Sequence, residues 1–187
     1  KLDVTVTRDA AGFADEFFRH SGFAGTAPAV LHPGARQEYI RWSVEGYADI
    51  ADRLIRDKKV PVLLTGSSEE QPLLEAVAAK MKEKPAFAVG LTLAELTAVI
   101  SKSRVFVGAS TGPMHIAAAC GLPVVAIFTS NHPLDCPEAW RPWCDTHRVV
   151  TVTGRFSREH PSTYDANKNK YMISPDAVWL ALGGLVK

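Results

Sequence analysis

Hydrophobic positions along the chain form short apolar runs that alternate with amphipathic stretches of about ten residues. The runs are rich in β-branched and aromatic residues, which predicts strands, and the stretches between them have the period of helices. The predicted strands cover residues 29–32, 60–65, 86–89, 105–107, 124–128 and 149–152. The predicted helices cover residues 9–20, 44–57, a segment opening at 68, a segment reaching about 102, 114–120 and a segment from 174 to about 186.

This alternation predicts an α/β fold, a Rossmann-like parallel sheet with helices on both faces. Ligands of such sheets bind beyond the carboxyl ends of the strands, where Gly34, Gly66 and segment 108–112 fall. We therefore expect motifs that are distant in sequence to converge at one edge. The predicted domains are a linker region with an N-terminal helix over residues 1–25 and a Rossmann-like domain over residues 26–187.

Polar residues before several apolar stretches predict where the helices begin. Ser43 is a suitable N-cap for the helix over 44–57. Thr92 and Glu95 have the spacing of a capping box, in which each side chain bonds the other residue's N–H. Ser68 and Gln71 have the same spacing and predict a second capping box.

Composition narrows the class of protein. The chain has 187 residues, 47% of them hydrophobic and 22% charged, which suits one globular domain with a sizeable core. A formal net charge of +1 offers nothing to attract nucleic acid. The sequence has neither a run of about 18 apolar residues nor a signal peptide, so a cytoplasmic protein is expected. The chain begins at Lys1 without Met, and we expect a fragment of a longer protein.

The turn over residues 108–113 leads from a strand into a helix. Ser110 and Thr111 supply hydroxyls, Gly112 lets a ligand approach the backbone, and Pro113 suits a first helical turn. A helix N-terminus gathers free N–H groups and positive potential, so this turn is predicted to bind an anion such as a phosphate. An ordinary helix cap is the alternative interpretation.

Other candidate residues lie at the ends of neighbouring strands. His115 either contacts a phosphate or sugar hydroxyl, or is a packed histidine. Glu69 and Glu70 either accept hydrogen bonds from ribose hydroxyls or complement the start of their own helix. Arg36 is placed to reach a diphosphate, and Arg41 either does the same or stacks on the neighbouring tryptophan.

One loop contains four residues of types that bind zinc, namely His132, Cys136, Cys144 and His147. Their spacing is unlike the close pairs of structural zinc sites, so free thiols are the expected state. P-loop and dinucleotide glycine fingerprints are absent from the sequence. The irregular segment from Gly154 to Tyr171 is expected to be mobile because it is long and polar.

The chain resembles glycosyltransferase family 9, the bacterial lipopolysaccharide heptosyltransferases. The strongest match is R-V-F-V-G-A-S-T-G-P-M-H-I-A-A-A-C-G-L-P-V-V-A-I-F over residues 104–128. Weaker matches follow the family's order: H-P-G-A-R (32–36), R-W-S-V-E (41–45), L-L-T-G-S-S-E-E (63–70), G-L-T-L-A-E-L-T-A-V-I (90–100) and W-R-P-W (140–143). The resemblance implies the C-terminal half of a GT-B fold.

The resemblance also implies a role for each part of the site. The residues expected to hold the diphosphate and sugar of ADP-heptose or a similar donor are Ser110, Thr111, Gly112, Pro113, Met114, His115, Arg36 and Arg41. Glu70, with Glu69, is expected to bind the ribose. The family transfers the sugar with inversion, and its catalytic base belongs to an N-terminal half that this chain lacks. The chain alone is therefore expected to be inactive.

Further expectations concern cofactors and partners. The family's chemistry implies no metal and no cofactor. The expected partners are a nucleotide-sugar donor and, through the absent half, a lipopolysaccharide core acceptor at the inner face of the cytoplasmic membrane. Two positions depart from the family pattern: Ile40 stands where a lysine is common and Ser110 where an aspartate is common, which leaves the donor sugar open. The alternative function is a stand-alone, non-catalytic nucleotide-binding module.

Overall fold

A computed structural model of the chain describes residues 2–23, 25–130, 135–152 and 172–186. Within them, six strands form one sheet in the order β3-β2-β1-β4-β5-β6, and every neighbouring pair is parallel. The strands are β1 Ala29–His32, β2 Val62–Gly66, β3 Ala86–Val89, β4 Val105–Ala109, β5 Val124–Phe128 and β6 His147–Thr151. The predicted Rossmann-like parallel sheet is confirmed.

Helices connect successive strands. They are α1 Arg8–His20, α2 Val44–Lys58, α3 Gln71–Lys80, α4 Leu93–Ser101, α5 Gly112–Ala119, α6 Pro137–Trp140 and α7 Pro175–Gly183. Single 3-10 turns occur at Glu38–Ile40 and Ser68–Glu70. Among the described helices, none has both the length and the apolar character needed to cross a bilayer.

The core lies on both faces of the sheet. Leu31 and Leu64 belong to the face covered by α2, α3 and α7, whereas Val30 and Leu63 belong to the face covered by α1, α4 and α5. Successive residues of one strand thus point to opposite faces, which explains why these strands are apolar throughout. The prediction of helices on both faces is confirmed.

The predicted helix caps are largely confirmed. The Ser43 hydroxyl accepts a hydrogen bond from the Gly46 N–H at 3.1 Å, and Thr92 and Glu95 form their capping box. The second capping box was predicted one residue too late, because it consists of Ser67 and Glu70. Ser67 has the extended backbone of an N-cap, with φ −69° and ψ 168°, and the turn has already begun at Ser68.

The helix predicted within the linker region packs against the second face. Helix α1 buries Ala10 and Ala14 in that core, and the Lys102 ammonium at the end of α4 pairs with the Asp15 carboxylate. Phe18 and Phe23 meet edge to face with ring centroids 5.8 Å apart, which fixes the chain as it leaves the helix. Helix α1 therefore contributes to the core of the α1, α4 and α5 face.

The start of α2 is shaped around a buried tryptophan. Trp42 is 2% exposed, and its indole N–H donates to the Ile173 carbonyl at 3.0 Å. A Cβ added to Gly46 would lie 2.4 Å from the Trp42 ring, so the helix approaches the indole only because this residue is glycine. The Tyr47 ring meets the Trp42 ring edge to face at 5.1 Å.

Candidate functional site

A cleft of about 750 Å³ opens where the strand order reverses, between the carboxyl ends of β1 and β4. Clefts that bind small molecules commonly have a volume of roughly 300–1,000 Å³ and occur at this reversal in open α/β sheets. The cleft is lined by Arg36 and Arg41 after β1, by Glu69 and Glu70 after β2, and by residues 110–113 after β4. The predicted convergence of these segments is confirmed.

The turn after β4 brings the N-terminus of α5 to the cleft. Ser110, Thr111, Gly112 and Pro113 all line the cleft wall. Thr111 occupies the N-cap position, but its side chain does not cap the helix and donates only a long 3.4 Å bond to the Ala109 carbonyl. An ordinary side-chain cap therefore does not explain this hydroxyl. The first N–H groups of a helix have no acceptor within it. Here Pro113 has no N–H and the Met114 N–H donates to the Thr111 carbonyl at 3.1 Å, so the Gly112 N–H is the group of this first turn that is left toward the cleft.

Gly112 and Met114 of this helix lie in different surroundings, the first at the cleft wall and the second in the core. Gly112 has no positive φ, and a Cβ added to it would meet nothing within 4 Å. This glycine therefore leaves open space at the cleft wall and is not required by backbone strain. Met114 was expected to contact the donor, but its side chain is fully buried among the core residues of α4 and β4 and does not line the cleft.

Two arginines of the segment after β1, Arg36 and Arg41, line the same cleft as the helix terminus. Arg36 is exposed, whereas the Arg41 side chain is half-buried and donates from Nε to the Ala35 carbonyl at 2.9 Å. Because Trp42 is buried in the core beneath α2, the predicted alternative of Arg41 stacking on that ring is not what the structure shows. The bond to Ala35 orients the Arg41 guanidinium at the cleft wall.

The two glutamates after β2 differ in their surroundings. Glu69 is exposed along the cleft. Glu70 accepts a 2.9 Å hydrogen bond from the Ser67 N–H and also lines the cleft, so it serves the helix start while it faces the cleft. The position of Glu70 is therefore compatible with both predicted alternatives, a bond to ribose hydroxyls and a bond at the start of its own helix.

His32 is a cleft residue that the sequence analysis did not select. Its ring is buried at the cleft floor, and Nδ1 lies 2.9 Å from the Thr65 hydroxyl. Burial lowers the pKa of His32, although the nearby Glu70 carboxylate acts in the opposite direction. The imidazole is consequently neutral near pH 7. The residue is the first of the H-P-G-A-R motif, so its place at the carboxyl end of a strand is the sequence signal that indicates it.

A smaller pocket of about 220 Å³ continues from the cleft past Ile40 and the turn at residues 110–112. Its remaining walls are His115, Asp135 and Trp140, of which the sequence analysis selected only His115. The His115 ring meets the Trp140 ring edge to face at 6.4 Å, and burial lowers the pKa of His115. No sequence signal marked Asp135, because a single acidic residue in a loop is commonplace.

Three of the four residues of zinc-binding types, Cys136, Cys144 and His147, lie within the described residues. His132 and the segment from Gly154 to Tyr171 lie outside them. In the remaining ranges, no three His, Cys, Asp or Glu side chains are arranged to hold a metal ion, and no disulfide is formed. Burial raises the pKa of the Cys144 thiol, which favours its protonated form.

The fold and cleft define the chain as a Rossmann-like α/β domain with an open cleft at the reversal of strand order. The family model of glycosyltransferase family 9 (heptosyltransferase) matches residues 3–171, and the chain belongs to that family. It is 28% identical over 155 residues to the lipopolysaccharide core heptosyltransferase OpsX of Haemophilus influenzae, covering 81% of this chain and 42% of that protein. It is also 28% identical to lipopolysaccharide heptosyltransferase 3 of Escherichia coli K12, covering 78% of this chain and 41% of that protein.

Solved structures share the fold. A family 9 glycosyltransferase from Veillonella parvula superposes with a TM-score of 0.83 at 20% identity, over 99% of this chain and 53% of that one. ADP-heptose lipopolysaccharide heptosyltransferase II of E. coli superposes with a TM-score of 0.77 at 23% identity, over 98% and 53%. The chain thus spans less than half the length of the curated relatives it matches and about half of these structures.

Proposed function

We propose that this chain is the donor-binding, C-terminal domain of a two-domain GT-B glycosyltransferase of lipopolysaccharide core biosynthesis. The observation that carries the proposal is that the N-terminus of α5, Arg36 and Arg41 line one cleft. Family membership supports the reaction class. The short coverage of the relatives favours one domain of a longer enzyme over a stand-alone binding module.

The cleft walls suit the successive parts of a nucleotide sugar such as ADP-heptose. The diphosphate would lie between the helix N-terminus and the two arginines, since N–H groups and guanidinium groups both favour phosphate oxygens. The ribose hydroxyls would donate to Glu69 or Glu70, which line the cleft beside Gly66. The base would rest on the apolar wall formed by Ala88, Leu91 and Leu96.

The same groups would assist the transfer reaction. An acceptor hydroxyl oxygen forms a bond to the anomeric carbon while the bond from that carbon to the diphosphate oxygen breaks, which inverts the configuration. The hydroxyl proton passes to a base in the N-terminal half. The bonding electrons leave with the diphosphate, whose added charge the positive helix end and Arg36 and Arg41 would stabilise. No metal ion is needed for that neutralisation.

The proposal extends to the setting of the whole enzyme. The N-terminal half would hold the lipopolysaccharide core acceptor, and the enzyme would work in the cytoplasm at the inner face of the membrane. This chain would contribute the donor and release ADP.

Calorimetric titration of the chain with ADP tests the proposal. We expect binding that persists in EDTA, because the diphosphate is neutralised by protein groups. Arg41→Ala should weaken ADP binding roughly tenfold to a hundredfold, the effect of losing a hydrogen bond to a charged group. Arg104→Ala is the matched control, because Arg104 is exposed where β4 begins, at the opposite edge of the sheet. A folded chain that takes up no ADP would contradict the proposal.

A further inference from the structure

The smaller pocket beside the cleft has the volume of a subsite and shares a wall with the cleft. At about 220 Å³ it lies below the roughly 300–1,000 Å³ of a site for a whole ligand, so it suits one part of a larger molecule. It shares the turn at residues 110–112 with the main cleft. A ligand whose diphosphate lies at that turn would therefore extend its next group into this pocket.

Asp135 is held in place at the wall of the smaller pocket. One carboxylate oxygen, Oδ2, accepts a 2.8 Å hydrogen bond from the Tyr39 hydroxyl, and the Tyr39 carbonyl accepts a 3.0 Å bond from the Thr129 hydroxyl. These bonds fix the carboxylate before a ligand arrives. A carboxylate accepts about four hydrogen bonds, so acceptor positions remain for hydroxyl groups of a ligand.

His115 and Trp140 form the facing wall. The low pKa of His115, caused by burial, keeps its imidazole neutral at pH 7, and a neutral imidazole both donates and accepts one hydrogen bond. The indole of Trp140 is 51% exposed and stands edge to face with that ring. A neutral donor and acceptor beside an aromatic face suits a polyhydroxylated ring, which is polar at its hydroxyls and apolar at its C–H groups.

The smaller pocket and the main cleft differ in the charged side chains that line them. Among the described residues that line the smaller pocket, Asp135 is the charged side chain, whereas the main cleft presents Arg36 and Arg41 in addition to Glu69 and Glu70. A carboxylate repels phosphate and attracts hydroxyl groups. We infer that Asp135, His115 and Trp140 bind the ring hydroxyls of the donor's sugar and so determine which nucleotide sugar the domain accepts. This inference rests on the proposed function, since the nucleotide must lie in the main cleft.

The test compares ADP with ADP-heptose as titrants of the 187-residue chain. The sugar contacts should make ADP-heptose bind roughly tenfold more tightly than ADP. Asp135→Asn and Trp140→Ala should each remove most of that difference while changing the affinity for ADP less than about twofold. Unchanged ADP binding also shows that each variant is folded.

Matched controls lie close by in sequence. Asp145 and Trp143 are exposed and line a separate cavity, so Asp145→Asn and Trp143→Ala should keep the full difference between the two titrants. Equal affinity of the parent chain for ADP and ADP-heptose would overturn the inference and leave the proposed function standing. The inference would also be overturned if Asp135→Asn kept the parent's difference in affinity between ADP and ADP-heptose. It would likewise be overturned if that variant lost the same affinity for both titrants. A parent chain that binds neither titrant would overturn the proposed function and this inference with it.

Discussion

The carboxylate of Glu70 lies directly against the backbone of Gly34. A Cβ added to Gly34 would be 2.3 Å from the carboxylate carbon and from Oε1, and 2.5 Å from Oε2. No side chain fits there unless the Glu70 carboxylate or one of the two loops moves. The absence of a Cβ at this residue therefore lets the segment after β1 and the segment after β2 meet at the cleft.

Gly34→Ala is expected to weaken ADP binding about tenfold, because the methyl group would displace either the Glu70 carboxylate or the loop that carries Arg36. Calorimetry of a double-mutant cycle checks the cause. In a chain that already carries Glu70→Ala the methyl group has room, so Gly34→Ala should add little. Equal losses in both backgrounds would show that the clash with Glu70 is not responsible.

Gly112→Val should abolish ADP binding and leave the fold intact. The structure offers room for the side chain, and that room is the space in which the diphosphate would lie. Thr111→Ala should do less, because it removes one hydroxyl contact to a charged group, worth about 1.5 to 3 kcal/mol. Calorimetry measures the binding and circular dichroism the folding. A folded Gly112→Val chain with the parent's affinity would place the diphosphate elsewhere.

Gly46→Ala should lower the free energy of unfolding by about 1 to 3 kcal/mol, the usual cost of overpacking. The new methyl group would lie 2.4 Å from the Trp42 ring, which is held by its bond to Ile173. Gly12→Ala is the control, since a Cβ there meets nothing within 4 Å. In the middle of α1 that change should be neutral or stabilise by up to about 1 kcal/mol. Urea unfolding of both variants makes the comparison.

The free energy of unfolding should fall at acidic pH because the buried His32 resists protonation in the folded chain. Burial lowers its pKa in the folded state, so below the unfolded value of about 6.5 the unfolded chain binds more protons. Stability then falls as pH drops, by at most about 1.4 kcal/mol per pH unit for this group. Unfolding of His32→Gln should depend less on pH between 7 and 5 than that of the parent. His115, whose pKa is also lowered by burial, should retain part of the dependence.

The chain alone should transfer no sugar from ADP-heptose. Half of a two-domain cleft neither positions an acceptor hydroxyl nor excludes water from the reacting carbon. Mass spectrometry of an incubation with a lipopolysaccharide core acceptor checks this prediction. Formation of a glycosylated acceptor would mean that this chain carries its own catalytic base.

Local signals in the sequence were sufficient for much of the fold. The bounds predicted for β1, β3 and β5 are those observed, because each is a continuous apolar run between turn residues. Strand β2 begins two residues later than predicted, after Pro61, which has no N–H for the ladder. Helix α5 begins two residues earlier, since Pro113 fits within its first turn.

The site was predictable only where residues of suitable chemistry followed a strand. That pattern singled out Arg36, Glu70 and Thr111, and the structure brings them to one cleft. It did not single out Asp135, which meets Tyr39 from 96 positions away in the sequence. Such a contact depends on how the segments after β1 and β5 pack, and nothing local in either segment encodes it.

The Tyr39 to Asp135 hydrogen bond has a kinetic consequence. It ties the segment after β1 to the segment that precedes α6, so the two flanks of the reversal point are joined before any donor arrives. A donor that enters such a preformed gap loses little affinity to the ordering of loops. Association should then not be slowed by a rearrangement of these two segments. Competing nucleotide sugars would be distinguished by how long each one stays bound.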